Sequence, residues 1–347
     1  MFGKTGKQYA GFISNQVENL LGDHLSKKGN KTSIETPTEK LGQVTGKRKA
    51  LFIGINYYGQ KGELRGCIND VKNIRAFLEA NYPIDEMMVL TDDQTNDPSK
   101  MPTRANILKG FRWLRQGASP GDALVLHYSG HGGSQKDTDG DEEDGMDETL
   151  CPVDYSKNGV IVDDEVHAVL VKGLPEGVRL TAIMDCCHSE SMLDLPYCYN
   201  VNGDLEIVEM NKAKGISKLV ATGVRYVLDG NKKAAMTSLT QGFKSLMEGD
   251  KTGNAAARQK TIDTRSTVAD VISFSGCKDS QTSADASIDG QATGAMTYAL
   301  IRSLKERKQV EYTDLLISMR QILDGKYTQV PMMSAGRKLD MTTMFSF

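Results

Sequence analysis

The 347-residue sequence has no apolar stretch near the roughly 20 residues that a membrane-crossing helix needs. Its start, Met1-Phe-Gly-Lys-Thr-Gly-Lys, lacks the apolar core of a secretory signal, and Phe2 stands where N-myristoylation requires glycine. Neither sign of charge dominates: 42 Lys and Arg face 45 Asp and Glu, a net charge of -3. That balance gives no electrostatic reason to expect nucleic acid or an anionic membrane as partner. Cysteine is sparse, with six residues scattered along the chain, so no dense disulfide framework is expected. A reducing cytoplasm, with the nucleus as a further compartment, is the expected location. No second Cys or His pair accompanies Cys186-Cys187-His188 to complete a zinc tetrahedron, and no internal repeat is visible. These absences leave one large α/β domain or two modest ones.

Two segments carry the chemistry. Tyr128-Ser-Gly-His131-Gly-Gly and Asp185-Cys-Cys187-His-Ser each follow an apolar run, Ala123–Tyr128 and Leu180–Met184. Such runs predict buried parallel strands, and the residues just beyond their ends lie where α/β proteins place their sites. An imidazole at one strand end and a thiol at the other suit a nucleophile and its base. The glycines around His131 let backbone approach a substrate, and the N–H groups of Gly132 and Cys187 suit an oxyanion hole. Spacing alone does not choose between Cys186 and Cys187. Cys67, Cys151, Cys198 and Cys277 read as small buried hydrophobes.

The surrounding pattern alternates strand and helix. Strands are expected at 49–56, 86–91, 123–128, 180–184 and 271–277. Helices are expected at 69–80 with Asn69 or Asp70 near the N-cap, at 103–114 capped by Thr103, after Ile161, and over 294–304 and 313–323. Residues 1–48 are polar and weakly periodic, a flexible tail or prosegment ahead of a domain over 49–347. Within that domain, 49–195 and 267–347 flank a Gly-, Lys- and Thr-rich stretch, 196–266, which interrupts the pattern as an insertion.

Ser-Gly-His131-Gly, Asp185-Cys-Cys-His-Ser, Ser275-Gly-Cys-Lys-Asp-Ser-Gln-Thr-Ser-Ala-Asp and Gly290-Gln-Ala-Thr-Gly-Ala-Met occur in the order found in metacaspases of type I. The chain resembles that family from about Ala50 to its C-terminus. The resemblance implies a caspase-like fold, a mainly parallel sheet of six to eight strands with helices on both faces, and a monomer. It makes Cys187 the nucleophile and His131 the general base of an endopeptidase cutting peptides and proteins after Arg or Lys. Asp70 and Asp185, with Ser129 assisting, would receive the basic side chain, since paired carboxylates favour a cation and repel an acid. Read alone, Asp70 suits equally well a helix N-terminal residue.

The acidic run Asp137–Asp147 gathers hard oxygen ligands but fails as an EF-hand, because Glu142 stands where the loop needs glycine. Without the family it reads as a solvated loop. The resemblance implies Ca2+ activation through Asp147, Asp163, Asp164 and Asp194. In the 196–266 stretch, Lys232, Lys233, Arg258 and Lys260 are candidate self-processing points, flanked by small and polar residues. One position departs from the family: Glu190 replaces the glycine that follows Cys-His-Ser. A carboxylate there opposes thiolate formation, which leaves a weakened pseudo-peptidase or adaptor as the rival function.

Overall fold

The computed structural model describes residues 40–136, 146–186, 192–201, 205–209, 263–277, 286–288, 291–307, 309–324 and 330–347. The candidate processing residues, Cys187 and Glu190 lie outside them.

The first strand, β1 (Arg48–Gly54), shows why the sequence folds as it does. From Lys49 onward every residue is buried, with Ala50 and Phe52 in one hydrophobic core and Leu51 and Ile53 in the other. A strand apolar on both faces needs cover on both, and helices supply it. Strands β2 (Glu86–Thr91), β3 (Ala123–Ser129), β7 (Arg179–Asp185) and β10 (Asp270–Cys277) join β1 in parallel. Helices α1 (Cys67–Asn81), α4 (Ala295–Glu306) and α5 (Tyr312–Leu323) build the core on one face. On the other lie α2 (Arg104–Arg115) and α3 (Asp163–Val166), the latter running into a π-helical turn over His167–Val171.

The expected helix after Ile161 is therefore present but tightly broken. Thr103 caps α2 as its sequence predicts, its Oγ1 accepting from the Asn106 N–H at 3.3 Å. The start of α1 differs from expectation. Gly66 is the N-cap, and the side chain of Asn56 accepts from Cys67 N–H at 3.1 Å and from Ile68 N–H at 3.4 Å. Because a residue from the end of β1 caps the helix, the Asp70 carboxylate is released from that task.

The 196–266 stretch is also more ordered at its start than its composition suggests. It opens with β8 (Tyr197–Val201) and β9 (Leu205–Glu209), an antiparallel pair. With β13 (Val330–Ala335) they extend the sheet, among the described residues, to eight strands in the order β2-β1-β3-β7-β10-β13-β8-β9, while β11 (Ala286–Ile288) and β12 (Gln291–Thr293) pair apart from it. The alternating residues flanking Asn202-Gly203 carry a hairpin signal that the polar composition masks. A separate small sheet joins β4 (Gly132–Lys136), β5 (Met146–Leu150) and β6 (Ile161–Val162). Asp147, the last residue of the acidic run, is thus a buried strand residue rather than part of a solvated loop.

Candidate active site

Strands β1, β3 and β7 end level, with Gly54 beside Ser129 and Ser129 beside Asp185. Asp70 reaches this edge from the first turn of α1. Its Oδ2 accepts from Ser129 Oγ at 2.7 Å, and its Oδ1 accepts from Gly294 N–H at 2.7 Å and from the Thr293 hydroxyl. Asp185 accepts through Oδ2 from Thr297 N–H, at 2.9 Å in the first turn of α4. Its Oδ1 is buried without a hydrogen-bond partner. Both carboxylates are nearly sealed, at 1% and 2% exposure. Burial, and secondarily the nearby charge of Asp185, pushes the Asp70 carboxyl up to about 7, against the pull of its three hydrogen bonds. The three residues assigned to the basic-side-chain pocket are thereby brought together.

Below them, His127 Nε2 lies 2.9 Å from Thr297 Oγ1, and burial pushes that imidazole down to about 3, so it is neutral. The α4 N-terminus is thus tied from the sheet side while its amides serve the acidic pair.

His131 follows the end of β3, held by its main chain and its ring. Its N–H donates to Tyr57 Oη at 2.9 Å, and its carbonyl accepts from Tyr128 Oη at 2.9 Å. The Tyr57 ring lies 4.5 Å from the imidazole, and Tyr57 Oη donates to the Cys151 carbonyl at 2.6 Å. Nε2 of His131 is 2.6 Å from the Gly62 carbonyl. A carbonyl only accepts, so Nε2 carries the proton and Nδ1 is left as the basic nitrogen. The loop bearing Gly62 is anchored by Asp92, whose carboxylate accepts from the N–H groups of Asn56, Tyr57 and Tyr58 at 2.9, 2.6 and 3.4 Å. This clamp holds Tyr57 at φ 55°, a left-handed conformation uncommon for a bulky residue.

Of the two adjacent thiols, Cys186 is turned into the core with Met184, on the face opposite Ile183. It is 1% exposed and serves packing. Cys187 lies outside the described residues. Gly132 opens β4, opposite Leu150.

A second acidic group lies around α3. Asp163 is buried, its Oδ2 accepting from Glu148 N–H at 3.1 Å, and burial with the charges of Glu148 and Asp194 raises its carboxyl. Asp194 is held at φ 53°, after Leu193, whose carbonyl accepts from His167 Nδ1 at 2.9 Å. Arg265 joins Asp164 to Asp194, its Nε 2.7 Å from Asp194 Oδ2 and its Nη2 on Asp164 Oδ1. Among the described residues, no three acidic, His or Cys side chains already converge as a metal cage.

A family model described as metacaspase, peptidase C14 domain, matches residues 48–196. Metacaspase-1 of Pyricularia oryzae is 50% identical over 300 residues, covering 86% of this chain and 74% of its own. Metacaspase-1A of Aspergillus niger is 50% identical over 297 residues, covering 85% and 72%. The chain belongs to the metacaspase family. It is therefore a member of a family of cysteine peptidases with a caspase-like α/β fold. A protein of Geobacter sulfurreducens with a known crystal structure shares the fold, at a TM-score of 0.51 and 24% identity, covering 85% of this chain and 95% of its own.

In this metacaspase several contributors were invisible to motif reasoning. Gly62 acts through a carbonyl, and Tyr57 through a hydroxyl and a ring face. Thr293, Gly294 and Thr297 precede or begin a helix whose amides point at carboxylates 112 or more residues away. Only the Gly290–Met296 motif flagged Thr293 and Gly294, and Thr297 lies one residue beyond it.

Proposed function

We propose that this metacaspase is a calcium-activated endopeptidase that cleaves after Arg or Lys through Cys187 and His131. The observation that carries the specificity is the Asp70–Asp185 pair. Two carboxylates buried together at a strand edge, one oxygen of Asp185 unpartnered and Asp70 resisting ionisation, form an electrostatic deficit. A guanidinium or ammonium entering there relieves it, whereas an acidic side chain deepens it.

Nδ1 of His131 takes the thiol proton, and the Cys187 sulfur attacks the carbonyl carbon of the basic residue itself. The N–H groups of Gly132 and Cys187 receive the negative oxygen of the tetrahedral adduct. His131 then returns its proton to the departing amine, leaving a thioester. Water, deprotonated by the same nitrogen, attacks the thioester and releases the acid and the thiol. Throughout, the Gly62 carbonyl retains the Nε2 proton and fixes the ring, so no tautomer exchange is needed.

Asp147, Asp163, Asp164 and Asp194 would hold the calcium ion. Their hard carboxylate oxygens suit it, and the cationic Arg265 bridges two of them, Asp164 and Asp194. When bound, the ion would neutralise crowded carboxylates in the chain that follows Cys187. Self-cleavage at Lys232, Lys233, Arg258 or Lys260 would follow the same preference. Arg-, Lys- and Asp-terminated fluorogenic peptides, assayed with calcium or chelator beside Cys187→Ala, test the proposal. Turnover of Arg and Lys peptides alone, lost in chelator and in Cys187→Ala, is expected. Unchanged turnover in chelator removes the calcium role, and none under any condition favours the adaptor.

A further inference from the structure

Arg265 lies in a helical turn, 263–265, ahead of β10. The chain beyond it is pinned, since Thr267 N–H donates to the Gly336 carbonyl at 3.0 Å and Thr267 Oγ1 to the Ala269 carbonyl at 2.8 Å. From this fixed point the guanidinium reaches two carboxylates from different parts of the chain. Asp164 begins α3, and Asp194 belongs to the segment after β7. Only 14% of the Arg265 side chain is exposed, and the Asp194 side chain is 4% exposed.

We propose that Arg265 is the resident cation of the Asp164–Asp194 group in the calcium-free protein, and that calcium binds there only by exchanging with it. The inference rests on the assignment of these carboxylates to calcium made above. Its warrant is atomic competition. Asp194 Oδ2 and Asp164 Oδ1 are the atoms that Arg265 engages, and a calcium ion requires carboxylate oxygens of the same residues.

A guanidinium occupies these oxygens through its N–H groups, so they are not open to calcium while Arg265 stays. Nor can both cations stay, since their like charges would share one partly buried group. Exchange frees the 263–265 turn from α3 while the ion ties Asp164 to Asp194 in its place. The arginine thus sets the calcium concentration at which the site fills.

The test is direct calcium binding by titration calorimetry, on the full-length chain carrying Cys187→Ala so that self-cutting does not intervene. Arg265→Gln removes the competing charge and is expected to bind calcium about ten-fold more tightly, within the roughly 5–150-fold range of coupled sites. Without calcium, its thermal midpoint is expected to fall, because the carboxylates lose their partner. With saturating calcium it is expected to match the parent. Arg265→Lys keeps the charge, loses the two-pronged geometry, and is expected to fall between them; it also serves if Arg265→Gln does not fold. Calcium binding by the parent with no tightening in either variant overturns the exchange. Failure of parent and variants alike to bind calcium overturns the calcium assignment itself. Binding only after Arg265 is replaced supports the exchange in its strongest form.

Discussion

Gly294 stands against Asp185 so closely that a Cβ built on it would fall 2.0 Å from the carboxylate Oδ2. The same glycine donates its N–H to Asp70. One residue without a side chain therefore lets the α4 N-terminus approach both acids. Gly294→Ala is expected to displace Asp185, costing about 1–3 kcal/mol of stability. It should also raise KM for Arg peptides more than it lowers kcat. Denaturant melts and steady-state kinetics check both.

Asp70 is expected to make substrate binding depend on pH. Its carboxyl lies near 7 when folded, against an ordinary value of 3.8, so the folded protein binds this proton more tightly than the unfolded chain does. The associated stability is complete below pH 3.8 and is lost as pH rises through about 7. Asp70→Asn should therefore be the more stable protein at pH 8, by a margin on the order of 1–3 kcal/mol. Substrate binding carries the opposite sign. A cationic side chain favours the ionised acid, so KM for an Arg peptide should fall as pH rises through 7. In Asp70→Asn that dependence should flatten. A wild-type KM independent of pH between 6 and 8 would sink the assignment.

Tyr57 holds His131 through its hydroxyl and its ring face. Tyr57→Phe keeps the ring against the imidazole and removes the oxygen that accepts from the His131 N–H. It also removes the donor to the Cys151 carbonyl, and the loss of the His131 bond, about 1 kcal/mol, should appear as a roughly five-fold fall in kcat with KM nearly unchanged. Asp92→Asn weakens the acceptor for three backbone donors and should lower kcat further, because it loosens the loop that carries Gly62. Equal loss in kcat and stability for both variants would reduce the clamp to a fold-maintaining role.

Processing is tested by mass spectrometry before and after calcium. Fragments ending at Lys232, Lys233, Arg258 or Lys260 are expected, and replacing all four residues should leave the chain intact. A chain that stays whole while fully active shows that cutting is dispensable.

How much of this was legible in the sequence depended on the range of the interaction. β1, β3 and β7 could be read because each is apolar on both faces, and the Thr103 cap because its partner is three residues away. Asp70 was ambiguous because its task depends on Asn56, which caps α1 from the end of β1. The orientation of Cys186 follows from strand alternation continued one residue past β7, a step that spacing leaves open only while the strand end is unknown. Gly62 had no side-chain signal to find. Arg265 stood among many basic residues in a Lys-rich stretch, and nothing local marks it as the one that meets Asp164 and Asp194.

The placement of β10 has a mechanical consequence. It pairs along its length with β7 and is followed in the sheet by β13, so chain from the C-terminal part lies between β7 and the β8–β9 edge. A backbone cut anywhere between the described residues at 209 and 263 would leave two polypeptides interleaved in one sheet. Neither piece could depart without breaking the ladder beside Asp185. Scission there would therefore be a change of connectivity rather than of composition: the halves would migrate together under native conditions and separate only in denaturant.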